Sequence, residues 1–356
     1  VRSLLITIGV VSATFLFSSC SMLCHKHCKK NSQPRVENYV QLTFTGDNGE
    51  AYFSPDGEKL IFQSKRDGNE CDKIYTMNID GSDKKMVSTP MGAHTCSYWS
   101  KDMDYIFYAS TSQEGKDCPD VFVPENPHEY VWPLRKFEIY RANPDGTGIV
   151  RLTQNPGYDA EATVHPFEEK IIFTSQRDGD IDLYTMDYAG NDVQRITNEY
   201  GYDGAAYYSP DGSKIVWRAW YPKTDEERAR WKNNLDKSYI NAVPLEIYVA
   251  NADGSGKVQI THNGATNWAP SWHPDGKRIV FASNMDDWRD DYQAFGHNFE
   301  IYLINADGTN LVRLTHNDTF DAFPMFTPDG KKLVMASNLD ADNPRATHIY
   351  LTDFVE

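Results

Sequence analysis

Asparagine, histidine and aspartate recur along this chain at one fixed offset. Seven residues before each of Pro55, Lys101, Pro166, Pro210, Pro274 and Pro328 stand Asn48, His94, Asp159, Asp203, Asn267 and Asp321. Two residues further on stand Glu50, Cys96, Glu161, Ala205, Ala269 and Phe323. In a β-strand residues i and i+2 share a face, so both sets are expected to point to one axis. Asp159, Glu161, Asp203 and Asp321, with Glu50, would then gather negative charge around one mouth. Hard carboxylate oxygens suit Ca²⁺ or another divalent cation, and His94 admits a transition metal. The same aspartates have two other uses, bonding the amides of their own loops or meeting basic groups of a partner.

The elements that would position them are written in the repeats. "FSPDGEKLIFQS" (53–64) returns as "YSPDGSKIVWRA" (208–219), "WHPDGKRIVFAS" (272–283) and "FTPDGKKLVMAS" (326–337). Proline presets φ, aspartate bonds its own backbone and glycine takes positive φ, which makes each copy two short strands around a tight turn. A second hairpin follows in each unit, as in "LEIYVANADGSGKVQIT" (245–261) and "FEIYLINADGTNLVRLT" (299–315). Four strands per repeat describe a propeller blade. The six aligned turn positions give six blades, although "WSKDMDY" (99–105) and "VHPFEEK" (164–170) have lost the motif. The sixth unit ends at "HIYLTDFVE" without its "RLT" strand, and "VENYVQLT" (36–43) is such a strand without a unit. The N-terminal strand is therefore expected to complete the last blade and close the ring. The fold class is all-β, a six-bladed propeller of four-stranded antiparallel blades over 36–356.

These repeats closely resemble the propeller repeats of TolB-type envelope proteins, across roughly nine-tenths of the chain. The resemblance implies a protein- or glycan-binding module facing the periplasm. Similar repeats also form oligogalacturonate lyases, so a polysaccharide-cleaving propeller is the alternative reading. A lyase of that kind would cluster histidines around a metal, and only His94 stands at a channel position.

Loops between the second and third strands share one face with the loops that lead into each blade, and the Pro-Asp-Gly and Asp-Gly turns lie on the other. Three insertions fall on that loop face: 112–136 in blade two, 219–244 in blade four and 284–298 in blade five. Long loops on a rigid ring are where function concentrates. They hold or border Tyr130, Trp132, Trp220, Tyr221, Trp231, Trp288 and Tyr292, rings suited either to binding a partner or to packing their own loops. Within the blade-four insertion Thr224 and Glu227 form a capping box ahead of "DEERARWKNNLD", which predicts a short helix. Cys71 and Cys118 are the expected disulfide pair, leaving Cys96 free.

The first residues, "VRSLLITIGVVSATFLFSSC", read as an export signal ending at a lipobox-like Cys20, so 1–20 is expected to be a lipoprotein leader and 21–35 a tether. The tether packs Cys24, His25, His27 and Cys28 into five residues, a set with metal-binding chemistry and no second sign of use. Residue Ser21 after the cysteine favours the outer membrane. A formal charge of −16 lacks the basic face that nucleic acid requires. The expected protein is a monomer held to the membrane by lipid alone, with an envelope protein or glycan as partner.

Overall fold

The computed structural model describes residues 33–123, 131–287, 298–341, 343 and 346–356. The leader, Cys20 and the tether cluster lie outside these residues, as do Tyr130, Trp288 and Tyr292. Pro34–Glu356 form one compact unit.

Strand β1 (Arg35–Gln41) is followed by blade one, β2 (Asp47–Phe53), β3 (Lys59–Lys65), β4 (Lys73–Asn78) and β5 (Lys85–Met86). Blade two has β6 (His94–Trp99) and β7 (Ile106–Ser110), then the short insertion strand β8 (Val131–Pro133), then β9 (Glu138–Ala142) and β10 (Val150–Arg151). Blade three is β11 (Asp159–Val164), β12 (Lys170–Ser175), β13 (Asp182–Asp187) and β14 (Gln194–Arg195). Blade four runs β15 (Tyr202–Tyr208), β16 (Lys214–Trp220), helix α1 (Asp225–Asp236), insertion strand β17 (Tyr239–Asn241), β18 (Glu246–Asn251) and β19 (Val258–Gln259). Blade five is β20 (Asn267–Trp272), β21 (Arg278–Ser283), β22 (Glu300–Asn305) and β23 (Val312–Arg313). Blade six is β24 (Asp321–Phe326), β25 (Lys332–Ser337) and β26 (His348–Val355), with β1 as its outer strand. Each of the six blades is a four-stranded antiparallel sheet, as the repeats predict.

The repeat residues have separate tasks. In the Pro-Asp-Gly turn of blade one, Ser54 Oγ donates to Asp56, Lys59 N donates to Ser54 Oγ at 2.9 Å, and Gly57 sits at φ 75°. The tyrosine of each "IY" strand packs cross-strand on a residue of the second strand, as Tyr75 does on Phe62 and Tyr248 on Trp217, with centroids 5.9 and 5.7 Å apart. Such pairs contribute about 0.5–1.5 kcal/mol beyond their burial. In the "RLT" strand the threonine hydroxyl accepts the N–H of the third strand, Thr153 from Ile139, Thr197 from Leu183 and Thr315 from Ile301. The arginine reaches an acid at the start of that same strand, Arg151 to Glu138, Arg195 to Asp182 and Arg313 to Glu300.

One hydrogen bond recurs between neighbouring blades. The amide opening each innermost strand donates to a carbonyl at the start of the preceding blade's third strand: His94 to Asp72, Asp159 to Phe137, Asp203 to Ile181, Asn267 to Leu245 and Asp321 to Phe299. Asn48 donates in the same way to Thr347, and this contact joins blade one to blade six. The antiparallel pairing of β1 with β26, Arg35 opposite Val355 and Gln41 opposite Tyr350, completes the closure. Outer strands of only two residues in blades one to five leave little edge for another chain to extend.

Candidate functional site

Every innermost strand contains a bulge, and the bulge changes where the candidate residues point. The pairing with the second strand slips between Gly49 and Tyr52, Thr95 and Tyr98, Ala160 and Thr163, Gly204 and Tyr207, Trp268 and Ser271, and Ala322 and Met325. In each slip one residue takes left-handed φ: Glu50, Cys96, Glu161, Ala205, Ala269 and Phe323, at 48–59°. An extra residue in a strand breaks the two-residue alternation. The expectation that both sets face the channel is therefore corrected. Glu50, Cys96, Glu161, Ala205, Ala269 and Phe323 line a central cavity, whereas Asn48, His94, Asp159, Asp203, Asn267 and Asp321 turn into their blades and are buried.

The inward set is bound locally. Asp159 accepts from Ser175 and from Asn155 at 3.0 Å, with Arg177 at 3.2 Å. Asp203 Oδ1 accepts from Trp217 Nε1 and the Tyr221 hydroxyl, each at 2.6 Å, while its Oδ2 has no partner. Burial pushes its carboxyl up to about 7, and in the same way pushes Asp321 up to about 6. Asp321 accepts from Asn317 at 2.7 Å. Asn48 bonds the carbonyls of Thr45 and Thr347, and Asn267 that of Leu245. His94 Nε2 lies 3.0 Å from the carbonyls of Thr89 and Met91, and burial draws its pKa down to about 4. These residues fasten the loops at the blade mouths.

The cavity itself has a volume of about 40 Å³. At ~10–15 Å³ per water this is room for about three waters, less than a sugar ring needs. Its centre is an ion pair, Arg218 Nη2 to Glu161 Oε1 at 2.5 Å. Arg218 also donates to Tyr202 at 2.9 Å and lies 4.2 Å from the Trp268 ring centroid. Glu161 accepts in addition from Thr174 Oγ1 and the Ala205 amide. The guanidinium thus stands where a cation would neutralise this carboxylate. Glu50, beside Cys96, is pushed up to about 7 by burial, and burial also raises the Cys96 thiol, which keeps it protonated and unreactive. Tyr52, Tyr98 and Tyr207, which also line the cavity, pack as a triangle with centroids 5.7–5.9 Å apart. The four carboxylates proposed for a metal do not converge, and among the described residues no three His, Cys, Asp or Glu side chains do. Among the described residues no histidine lines the cavity.

The insertions of blades two and four meet over blade three. β8 and β17 pair antiparallel, Tyr239 opposite Pro133 and Asn241 opposite Val131, in a two-stranded ribbon. Trp132 of the ribbon packs on Trp268 at 4.7 Å, and Trp268 lines the cavity, so the ribbon roofs the loop face. Helix α1 begins with the expected capping box, Glu227 N to Thr224 Oγ1 at 3.1 Å with the return bond from Thr224 N to Glu227. Its Trp231 is 2% exposed and donates Nε1 to Asp180 of blade three at 2.8 Å, which places it in the packing of the roof. Trp220 packs on Trp231 at 5.6 Å, and Tyr221 holds Asp203. Of the described aromatic candidates, Trp132, Trp220 and Trp231 hold the roof together, while Tyr221 packs into blade four.

Much of the roof's outer surface is polar, as at the exposed Asp225, Glu226, Arg228, Lys232 and Asp236 of α1, and its exposed aliphatic side chains stand on one limb. Cys71 and Cys118 form a disulfide, which fixes the first limb of the blade-two insertion to blade one. Along that limb Val121 is 85% and Val123 78% exposed, while Phe122 between them turns inward onto the Tyr239 ring at 5.7 Å. Sequence reasoning misses these valines, and also Arg218, Trp268 and the tyrosine triangle. Only the alternation in "DVFV" hints at the first.

No family model matches the chain. A TolB homologue of Chlorobium luteolum is 28% identical over 124 residues, 26% of this chain and 28% of that protein. The curated relatives are matched over about a third of their own length or less. Among solved structures, a putative TolB from Agrobacterium tumefaciens superposes with a TM-score of 0.55 at 19% identity, covering 91% of this chain and 98% of that one. An oligogalacturonate lyase from Vibrio parahaemolyticus superposes with a TM-score of 0.51 at 14% identity, covering 90% and 96%. The chain is a TolB-like six-bladed β-propeller.

Proposed function

We propose that this propeller is an envelope module that binds a protein segment on its roofed loop face, held at the membrane by an acyl group on Cys20. The observation that carries the reading is the limb 118–123, where Val121 and Val123 face solvent on a segment held by the Cys118 disulfide and by the Phe122 ring packed on Tyr239. Exposed aliphatic side chains on a preorganised support lose little entropy when covered, which favours recognition there. The TolB-like fold supports a protein partner. A disulfide supports an oxidising compartment, and the leader supports export to it.

Two alternatives fit less well. A glycan stacked on the loop-face aromatics would need open rings, yet among the described residues Trp231 is buried, Trp220 and Trp132 are engaged in the roof and Tyr221 is bonded to Asp203. A lyase acting inside the ring would need space for a sugar and a metal site, and the cavity holds its own ion pair instead. The test is the double variant Val121→Ser, Val123→Ser. Surface changes of this kind shift stability by no more than about 0.5 kcal/mol, so melting stays as in the parent. Capture of the native partner should fall at least about tenfold, a loss of about 1.4 kcal/mol. Unchanged capture would remove the limb from the binding surface.

A further inference from the structure

Blade one departs from its own repeat at a single buried position. The residue opening the third strand is Glu138, Asp182, Glu246 and Glu300 in blades two to five, and in blades two, three and five it pairs with the "RLT" arginine. In blade one this residue is Lys73, only 1% exposed, and Met86 stands in the place of the arginine. Lys73 Nζ points instead to three acceptors: the Gly92 carbonyl, the Asp117 carbonyl at 3.4 Å and Cys71 Sγ at 3.6 Å. Three acceptors match the three N–H bonds of an ammonium. Burial draws the Lys73 pKa down, and Asp117 and Asp72 oppose that by holding the charge. A buried cation thus stands against one sulfur of the disulfide.

We propose that Cys71–Cys118 is a thiol–disulfide exchange site, opened by an external dithiol that attacks Cys118 while Lys73 stabilises the departing Cys71 thiolate. Cys118 lies next to the exposed run Gly115–Asp117 and Asp120, where a thiolate can approach. Both cysteines are partly exposed, and Cys71 Sγ lies against the carbonyls of Gly92 and Asp117, so the direction of attack is set by Lys73, whose Nζ stands 3.6 Å from Cys71 Sγ. In the first step the attacking thiolate forms a bond to Cys118 Sγ, the Sγ–Sγ bond breaks and Cys71 leaves with the electron pair. A leaving thiol of lower pKa departs faster, and an adjacent ammonium lowers that pKa. In the second step the other thiol of the dithiol, having lost its proton, attacks the mixed disulfide. Cys118 leaves as thiolate and takes a proton from solvent, so two electrons pass to the protein and the dithiol becomes a disulfide. Opening removes the covalent tie of the limb that presents Val121 and Val123. What remains includes the pair of Gly92 amide bonds to Lys116 and Asp117, the Lys73 bond to the Asp117 carbonyl, the Arg135 bond to Asp120 and the Phe122 packing.

The experiment uses the whole oxidised chain. Brief treatment with 2-mercaptoethanol, acid quenching and peptide mass spectrometry should find the mixed disulfide on Cys118, with Cys71 free to be alkylated; the adduct on Cys71 would overturn the mechanism. In a second arm, dithiothreitol should reduce Lys73→Met at least about fivefold more slowly than the parent, because the departing thiolate loses its cation. Equal rates would overturn the role of Lys73. If that variant does not fold, Cys118→Ser alone decides: iodoacetamide alkylation of Cys71 should have its midpoint below the ~8.5 of a free cysteine. A midpoint at or above that value would contradict the proposal. The titratable groups around Lys73 are Asp72, Asp117 and His94; burial pushes Asp72 up to about 6 and draws His94 down to about 4, so both lie below the ~8.5 of a free cysteine. Reduction should speed the tryptic cut after Lys116, because the limb loses its covalent tie, and an unchanged rate would overturn that release.

Discussion

Asp203 offers the sharpest quantitative test of the buried ring of polar residues. Its carboxyl is fully buried, accepts two hydrogen bonds on Oδ1 and leaves Oδ2 without a partner, an arrangement that suits a protonated acid. Burial raises its pKa from 3.8 to about 7. Between pH 5 and 8 the unfolded carboxyl is ionised throughout, whereas the folded one keeps its proton until about 7. The folded state therefore binds more protons in this window, and stability is lost as pH rises. Integrating the two titrations over that window gives a loss of about 2–3 kcal/mol from this residue as an upper bound, since a tenfold difference in proton affinity between the folded and unfolded chain is worth about 1.4 kcal/mol. At about 2 cal/mol/K per residue over the propeller, that is roughly 4 °C in melting temperature. Asp203→Asn keeps the acceptor for Trp217 and Tyr221 and has no charge to gain. Its melting temperature should fall by roughly 4 °C less than the parent's between pH 5 and 8, measured by scanning calorimetry or circular dichroism. An identical fall in both proteins would mean that Asp203 is ionised in the fold, and the reasoning from burial would fail.

Deleting residues 35–41 exposes β26 as an edge and should lower the melting temperature by more than about 10 °C, while deleting residues 1–30 should shift it by less than about 2 °C; comparable shifts would place the closure elsewhere. Because Arg218 already neutralises Glu161, millimolar Ca²⁺ and EDTA should give melting temperatures within about 1 °C of each other, whereas a saturable rise with Ca²⁺ would reveal a cation site. Cys20→Ser should abolish incorporation of labelled fatty acid, and labelling at the parent's level would exclude the anchor.

Much of the architecture is legible because each repeat residue has one local task. Pro55, Asp56 and Gly57 specify a turn from three consecutive positions, and the threonine of "RLT" serves a strand in its own blade. Thr224 and Glu227 likewise form a cap within four residues, and the helix follows. The inner face is misread from sequence because the bulges place no glycine at their left-handed position. That φ falls on Glu50, Cys96, Glu161, Ala205, Ala269 and Phe323, residues that do not advertise it, so alternation sends Asp159, Asp203 and Asp321 to the wrong side. The β8–β17 ribbon is illegible for another reason: two three-residue strands in insertions of non-adjacent blades leave no periodic pattern. Lys73 is visible as a break in the repeat, but its meaning depends on Cys71 and Gly92 arriving beside it.

The claim that the roofed loop face binds a protein is tested most directly by site-specific photocrosslinking in the native envelope. A photoreactive residue placed singly at Val121, at Val123, at Phe167 on the turn face and at Val258 on the outer rim samples four exposed positions of one folded protein. The account predicts the same protein adduct from Val121 and Val123, lost on competition with excess unlabelled chain, and none from Phe167 or Val258. Adducts from Phe167 or Val258 with none from the two valines would contradict it.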